Sequence, residues 1–262
     1  MKYMIASDYD GTLYQMGVVS QKTVEKIKEF QSRGHLFGVV TGRDYVNGFE
    51  LFKNRNDFPF DFIISNNGAA AYDKDGNIYF SQKADGRLPC GESTLAENLI
   101  KRCLQLTSKT CGIAFERGKF EFHPDYPLGE RVEDKVYSAL SVLKDVSEFV
   151  SANALCSSNA HAAGVVDALT AEFGAHLTFA QNNRCIDITQ AGVDKTTGIK
   201  QLAECLNIHH EHIWTAGDNF NDISMIKSYH GCAMSHGVEE LRKASEYICN
   251  NVADVIEIVL SQ

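Results

Sequence analysis

The chain has 262 residues, 44% of them hydrophobic and 23% charged, and a formal charge of −9. This is ordinary globular composition, with enough apolar content for a core that needs no disulfides. The acidic balance disfavours nucleic acid and anionic membranes as partners, and no run of about 18 apolar residues is present to span a bilayer.

The N-terminus, MKYMIASDYDG, lacks the long apolar core and small-residue cleavage site of a secretory signal. Eight scattered cysteines without a C-x-x-C pair fit reduced thiols in a cytoplasm better than a disulfide framework.

In chain order, YMIAS is a short apolar strand, and Ser20 caps a helix that carries Val24, Ile27 and Phe30 and ends at Gly34. HLFGVV is a second buried strand. A polar turn, TGRD, and a helix with Val46, Phe49 and Phe52 follow, and then a third strand, FDFIIS. Such strand–helix alternation predicts right-handed crossovers and a parallel sheet covered on both faces. A hairpin is expected to turn at Asp75-Gly76.

From about 82 to 184 the texture changes. The pattern predicts a helix over about 92–106, two strands about Arg117-Gly118, a helix over about 128–140 and a strand at DVSEFV. A helix from about 160 and the strands AHLTFA and RCIDIT complete the region. The first texture returns at 194 with a helix holding Ile199, Leu202 and Leu206. It continues with the strand HIWTAG, a helix with Ile223 and Ile226, and the strand HGCAM. The expected architecture is α/β: a discontinuous core of residues 1–81 and 185–262, with an α+β domain inserted over 82–184.

Ligands bind outside the carboxyl ends of strands in open parallel sheets. Four polar clusters fall at that rim: Asp8-Tyr9-Asp10-Gly11-Thr12, Thr41-Gly42-Arg43-Asp44, Lys195, and Gly217 through Asp222. Each alone is ordinary turn chemistry; their convergence carries the argument. Asp8, Asp10, Asp218 and Asp222 together would repel unless a cation joins them. A hard divalent ion, Mg²⁺, suits few carboxylates, waters and a substrate phosphate. Thr41 offers a hydroxyl and Lys195 a point charge for phosphate oxygens. Together these parts are equipment for phosphoryl transfer.

DYDGTL, VVTGR, GVDKTTGI and AGDNFNDISMI resemble, in order and spacing, the four motifs of the haloacid dehalogenase superfamily, and with the insert they are similar to its Cof-type phosphatases. The resemblance implies a Rossmann-like, three-layer α/β/α core with a large inserted cap. It implies Asp8 as a nucleophile that becomes an aspartyl-phosphate, with Asp10 as the acid that then serves as base. It further implies Mg²⁺ on Asp8, the Asp10 carbonyl and Asp218. Thr41, Lys195 and Asn221 would hold the phosphoryl group, with Asp222 supporting the metal ligands. Asn67 would border the substrate.

Arg43 reads either as a substrate contact or as a surface residue at a helix start. Tyr9, between the two aspartates, is expected to point away from them. Thr196-Thr197-Gly198 departs from the glycine that often follows the motif lysine, and altered packing is expected there. Arg117, Lys119, His123 and Asp125 are polar residues of the insert that either reach a substrate or are solvated. His209-His210-Glu211-His212 reads as solvated residues between a helix and a strand.

The expected activity is hydrolysis of a small phosphorylated metabolite, a sugar phosphate above others. A phosphosugar mutase on the same scaffold is the alternative. A receiver-like phospho-acceptor fits poorly, because the acid pair opens the chain and an intact Asp10 would shorten the life of the acyl-phosphate. The sequence leaves the substrate and the oligomeric state open.

Overall fold

The structure, a computed structural model, describes residues 2–85 and 93–262. It divides into two compact units: Met1–Phe80 with Asp194–Gln262, and Ser81–Val193.

The first unit is built on an eight-stranded sheet. Its strands are β1 (Met4–Ser7), β2 (Leu36–Val40), β3 (Phe62–Ser65), β4 (Ala70–Asp73) and β5 (Ile78–Ser81). The remaining three lie after the insert: β15 (Ile213–Gly217), β16 (His230–Met234) and β17 (Tyr247–Cys249). The order is β17-β16-β15-β1-β2-β3-β4-β5. From β17 to β3 neighbours run parallel, and β4 turns back antiparallel on β3.

Residues at period two send Met4, Ala6, Phe62 and Ile64 to one face, where they share a core with Ile199 and Leu202 of one helix and Met225 of another. Those helices are α5 (Lys195–Leu206) and α6 (Ile223–Ser228). Ile5, Phe37, Val39 and Ile63, all fully buried, alternate to the opposite face. On that side α1 (Gln21–Ser32) and α8 (Val252–Leu260) pack on each other and on β2 and β15. The chain also forms α2 (Leu51–Arg55), after a π-helical turn at Val46–Glu50, and α7 (Glu239–Ala244). Ser20 caps α1, its side chain accepting from the Thr23 N–H.

The second unit carries an antiparallel sheet in the order β13-β14-β12-β7-β8. These strands are β7 (Cys111–Phe115), β8 (Gly118–Phe122), β12 (Ser151–Leu155), β13 (Leu177–Asn182) and β14 (Cys185–Gln190). Helices α3 (Leu95–Thr107) and α4 (Asn159–Phe173) cover it with Leu99, Ile100, Cys103, Ala162 and Leu169. Two short strands, β6 (Ala84–Asp85) and β11 (Glu148–Phe149), pair with each other.

Three expectations change. The helix expected over about 128–140 is a hairpin of β9 (Leu128–Val132) and β10 (Lys135–Ala139). Positive φ at Gly129 and Glu133 is incompatible with a continuous right-handed helix. The boundary expected at 184 moves to Val193, because β14 pairs along its length with both β12 and β13. The strand expected at DVSEFV shrinks to the two-residue β11, and the longer β12 follows it in SANAL. The start expected for α3, near 92, and Cys90 lie outside the described residues.

Candidate active site

The parallel strands deliver their carboxyl ends to one edge. Asp8 follows β1 directly, and its N–H donates to the Ala216 carbonyl of β15 at 2.8 Å. Thr41 follows β2, Asn66 follows β3 and Asp218 follows β15. Lys195 opens α5, whose cap residue Asp194 and Thr197 bond each other's backbone N–H in a capping box. This answers the departure at Thr196-Thr197-Gly198: Thr197 closes the cap. Gly198 lies against Gly68, where a Cβ would fall 2.5 Å from the Gly68 Cα.

At the centre, Lys195 Nζ lies 2.7 Å from Asp8 Oδ1 and 2.6 Å from Asp222 Oδ1. Asp222 is fully buried and spends its second oxygen on the N–H groups of Asp218 and Asn219, at 3.0 and 3.1 Å. Its work is to fix the ammonium and the loop that carries Asp218. Thr12 Oγ1 donates to Asp218 Oδ1 at 2.7 Å. Each of Asp8 and Asp218 thus keeps one carboxylate oxygen without a hydrogen-bond donor among the described residues.

Carboxylate oxygens of Asp8, Asp218 and Asp222 lie within 4.8 Å of one another, the cluster among the described residues that could hold a metal ion. Burial pushes the Asp8 carboxyl up to about 8, with Asp222 and Asp218 adding to the rise and Lys195 opposing it. Burial also raises Asp218, against the hydrogen bond from Thr12. For Lys195 burial acts downward, but the carboxylates of Asp222 and Asp8 outweigh it and raise the ammonium. Three carboxylates against one buried cation leave a deficit of positive charge, and the free oxygens of Asp8 and Asp218 are hard donors. This donor set fits Mg²⁺.

Asp10 has a different environment. Its side chain is 55% exposed, and Arg43 grips both of its oxygens, Nε at 2.8 Å and Nη2 at 2.7 Å. Tyr9 is fully buried against Tyr14, Phe52 and Phe58, and the Arg43 guanidinium lies 5.0 Å from its ring centre. The ring of Tyr9 joins that aromatic cluster, and the guanidinium beside it is the one that grips Asp10. Thr41 is buried, and its Oγ1 accepts from the Arg43 N–H at 3.2 Å. Asn67, in left-handed backbone at φ 51°, donates its N–H to the Thr41 carbonyl at 2.9 Å. Asn221 is half-buried in the 3₁₀ turn Phe220–Asp222.

Sequence reasoning passed over two contributors. Thr12 stood inside the first motif but was read only as part of it. His236, in the loop after β16, donates from Nε2 to the Gly11 carbonyl at 2.8 Å and ties the first-motif loop to the next strand end. The strand-end rule that found the four clusters applies equally to His236.

The insert residues lie in their own unit. Arg117 lines a cavity of about 530 Å³ with Lys83, Glu116 and Glu148, where Lys83 pairs with both glutamates. The His123 ring packs on Tyr126 and Tyr137. His210–His212 forms a 3₁₀ turn with no buried residue.

The model of the haloacid dehalogenase-like hydrolases matches residues 5–257, and the chain belongs to that family of enzymes. A 5-amino-6-(5-phospho-D-ribitylamino)uracil phosphatase of Bacillus subtilis is 23% identical over 92% of this chain and 89% of its own. A second Bacillus subtilis phosphatase of that name is 26% identical, with 98% of each chain covered. Among solved structures, a HAD/COF-like hydrolase from Plasmodium vivax superposes with a TM-score of 0.78 at 19% identity, covering 99% of this chain and 95% of the other. A subclass IIB sugar phosphatase gives 0.75 at 19% identity over 99% and 97%. No helix among the described residues is long and apolar enough to cross a membrane.

Proposed function

We propose that this protein hydrolyses phosphate monoesters of small metabolites, sugar or sugar-alcohol phosphates, with Mg²⁺ and through an aspartyl-phosphate on Asp8. The observation that carries this reading is the contact of Lys195 with Asp8 at 2.7 Å beside the free oxygens of Asp8 and Asp218. A carboxylate against a fixed ammonium, with further carboxylate oxygens in reach of a cation, supports Asp8 as the nucleophile. Sugar phosphatase activity in a structural neighbour and ribityl phosphate chemistry in two relatives support the substrate class.

The residues divide the work. Asp8 attacks phosphorus, and Asp10 gives a proton to the leaving oxygen, which departs as an alcohol. Water then attacks phosphorus, Asp10 takes the water proton, and the bond to Asp8 breaks with its electron pair returning to the carboxylate. Lys195 and Thr41, with Asn221, balance the charge on the phosphoryl oxygens. Asp8, Asp218 and the Asp10 carbonyl would hold Mg²⁺, which supplies charge neutralisation at the phosphoryl group and keeps Asp8 ionised. Asn67, which the family resemblance sets beside the substrate, would border it. Seven free cysteines among the described residues, five of them buried, fit a reducing compartment and support a cytoplasmic enzyme.

The test is release of inorganic phosphate from para-nitrophenyl phosphate and a panel of sugar and polyol phosphates, with and without Mg²⁺. Mg²⁺-dependent turnover that disappears in Asp8→Asn, with circular dichroism unchanged, is the expected result. Folded wild-type protein inactive on the whole panel, or an active Asp8→Asn variant, would overturn the reading.

A further inference from the structure

We propose that Arg43, seated on the ring of Tyr9, is a positioning residue that aims Asp10 at water in the second half of the reaction. This rests on the phosphatase reading above and assigns Arg43 a part in catalysis other than contact with substrate.

Three observations carry it. First, Arg43 is the sole described residue that bonds the Asp10 side chain, and it does so through a two-point fork, Nε to Oδ2 and Nη2 to Oδ1. An exposed ion pair of this kind adds little to stability, but a planar fork fixes the plane of the carboxylate as a single point charge cannot.

Second, Arg43 is itself held from several sides. Its guanidinium lies 5.0 Å from the Tyr9 ring centre and 5.9 Å from that of Phe52. Nη1 donates to the Asn47 carbonyl at 3.2 Å, and the Arg43 N–H donates to Thr41 Oγ1. Tyr9 in turn is locked in a buried aromatic cluster with Tyr14, Phe52 and Phe58. The rigidity of a core therefore reaches an otherwise solvated carboxylate through one guanidinium.

Third, the fork needs an accepting oxygen at both positions and uses one lone-pair site on each, leaving the others free. That geometry matches Asp10 as the acceptor of a proton. A water O–H bond breaks and its proton passes to an Asp10 oxygen, while the water oxygen bonds phosphorus. The phosphorus–oxygen bond to Asp8 then breaks, releasing inorganic phosphate and the Asp8 carboxylate.

The experiment separates the half-reactions with para-nitrophenyl phosphate, whose leaving group needs little help from an acid. Stopped-flow release of nitrophenol reports the first half and steady-state kcat the second. For Arg43→Ala the expected result is a kcat lowered by about 10²-fold with kcat/KM nearly kept, so that KM falls too. A burst of nitrophenol larger than that of the wild type accompanies it, and added guanidinium ion restores part of kcat. Arg43→Lys keeps the cation over the ring but loses the fork. It should give an intermediate kcat with the same burst, and it carries the test if the alanine variant fails to fold.

A raised KM with kcat retained would overturn the proposal in favour of a substrate contact. Equal losses of kcat and kcat/KM without a burst would also overturn it. Wild-type protein inactive on every phosphate would overturn the phosphatase reading, and this proposal with it.

Discussion

Gly11 lies so close to Asp218 that a Cβ on it would fall 2.5 Å from Asp218 Oδ2. Its φ of +95° is also one that side chains other than glycine's rarely adopt. Two residues more than two hundred positions apart therefore constrain each other at the free oxygen assigned to the cation. Gly11→Ala is expected to displace Asp218 and to lower Mg²⁺ affinity or turnover by about 10- to 100-fold, with secondary structure retained. A Mg²⁺ titration of activity checks this, and unchanged affinity and turnover would contradict it.

Lys195 is 1% exposed and bonds two carboxylates. Removing one member of a buried ion cluster leaves the others uncompensated, which costs about 3–5 kcal/mol. Lys195→Met, similar in volume, should lose stability of that order in urea denaturation as well as activity. A loss below about 1 kcal/mol would show that Asp8 and Asp222 are neutralised another way.

Asp8 titrates near the usual value for a carboxylate when unfolded and at about 8 in the folded, metal-free protein, chiefly because it is buried. Between those values the folded state holds a proton that the unfolded state has released. Metal-free stability is therefore fully present at low pH and falls as pH rises towards 8. A cation competes with that proton. Added Mg²⁺ should thus raise Tm more at about pH 8 than at about pH 5. Melting curves with and without Mg²⁺ across that range decide it; a shift larger at the acid end would contradict the assignment.

The Tyr9 hydroxyl is buried without a hydrogen-bond partner among the described residues. A buried group left unpaired costs about 1–3 kcal/mol. Tyr9→Phe keeps the ring under Arg43 and removes that cost, so Tm should rise by about 2–4 °C for each kcal/mol gained. A lower Tm would mean that the hydroxyl has a partner.

Much of the first unit was legible because parallel strands buried on both faces are continuous apolar runs, as in HLFGVV and FDFIIS, and because helices announce their caps, as at Ser20. The insert was less legible. A hairpin as solvated as Leu128–Ala139, with Leu128 and Val136 exposed and Tyr137 its one buried strand residue, offers too little buried face to impose a two-residue period. Helix α7, strand β17 and helix α8 passed unread at the C-terminus.

The sequence by itself determined which residue types stand at the strand ends, and the order of the four motifs identified the family. Distances between those ends come from the sheet register, in which β1 lies between β15 and β2 and gathers distant segments at one edge. Only the tertiary structure decided the partners there. Lys195 takes Asp8 and Asp222, Thr12 takes Asp218, His236 takes the Gly11 carbonyl, and Arg43 forks Asp10. Linear spacing cannot encode these pairs, because each joins groups from different segments and depends on how far the helices and loops between them bring the chain back.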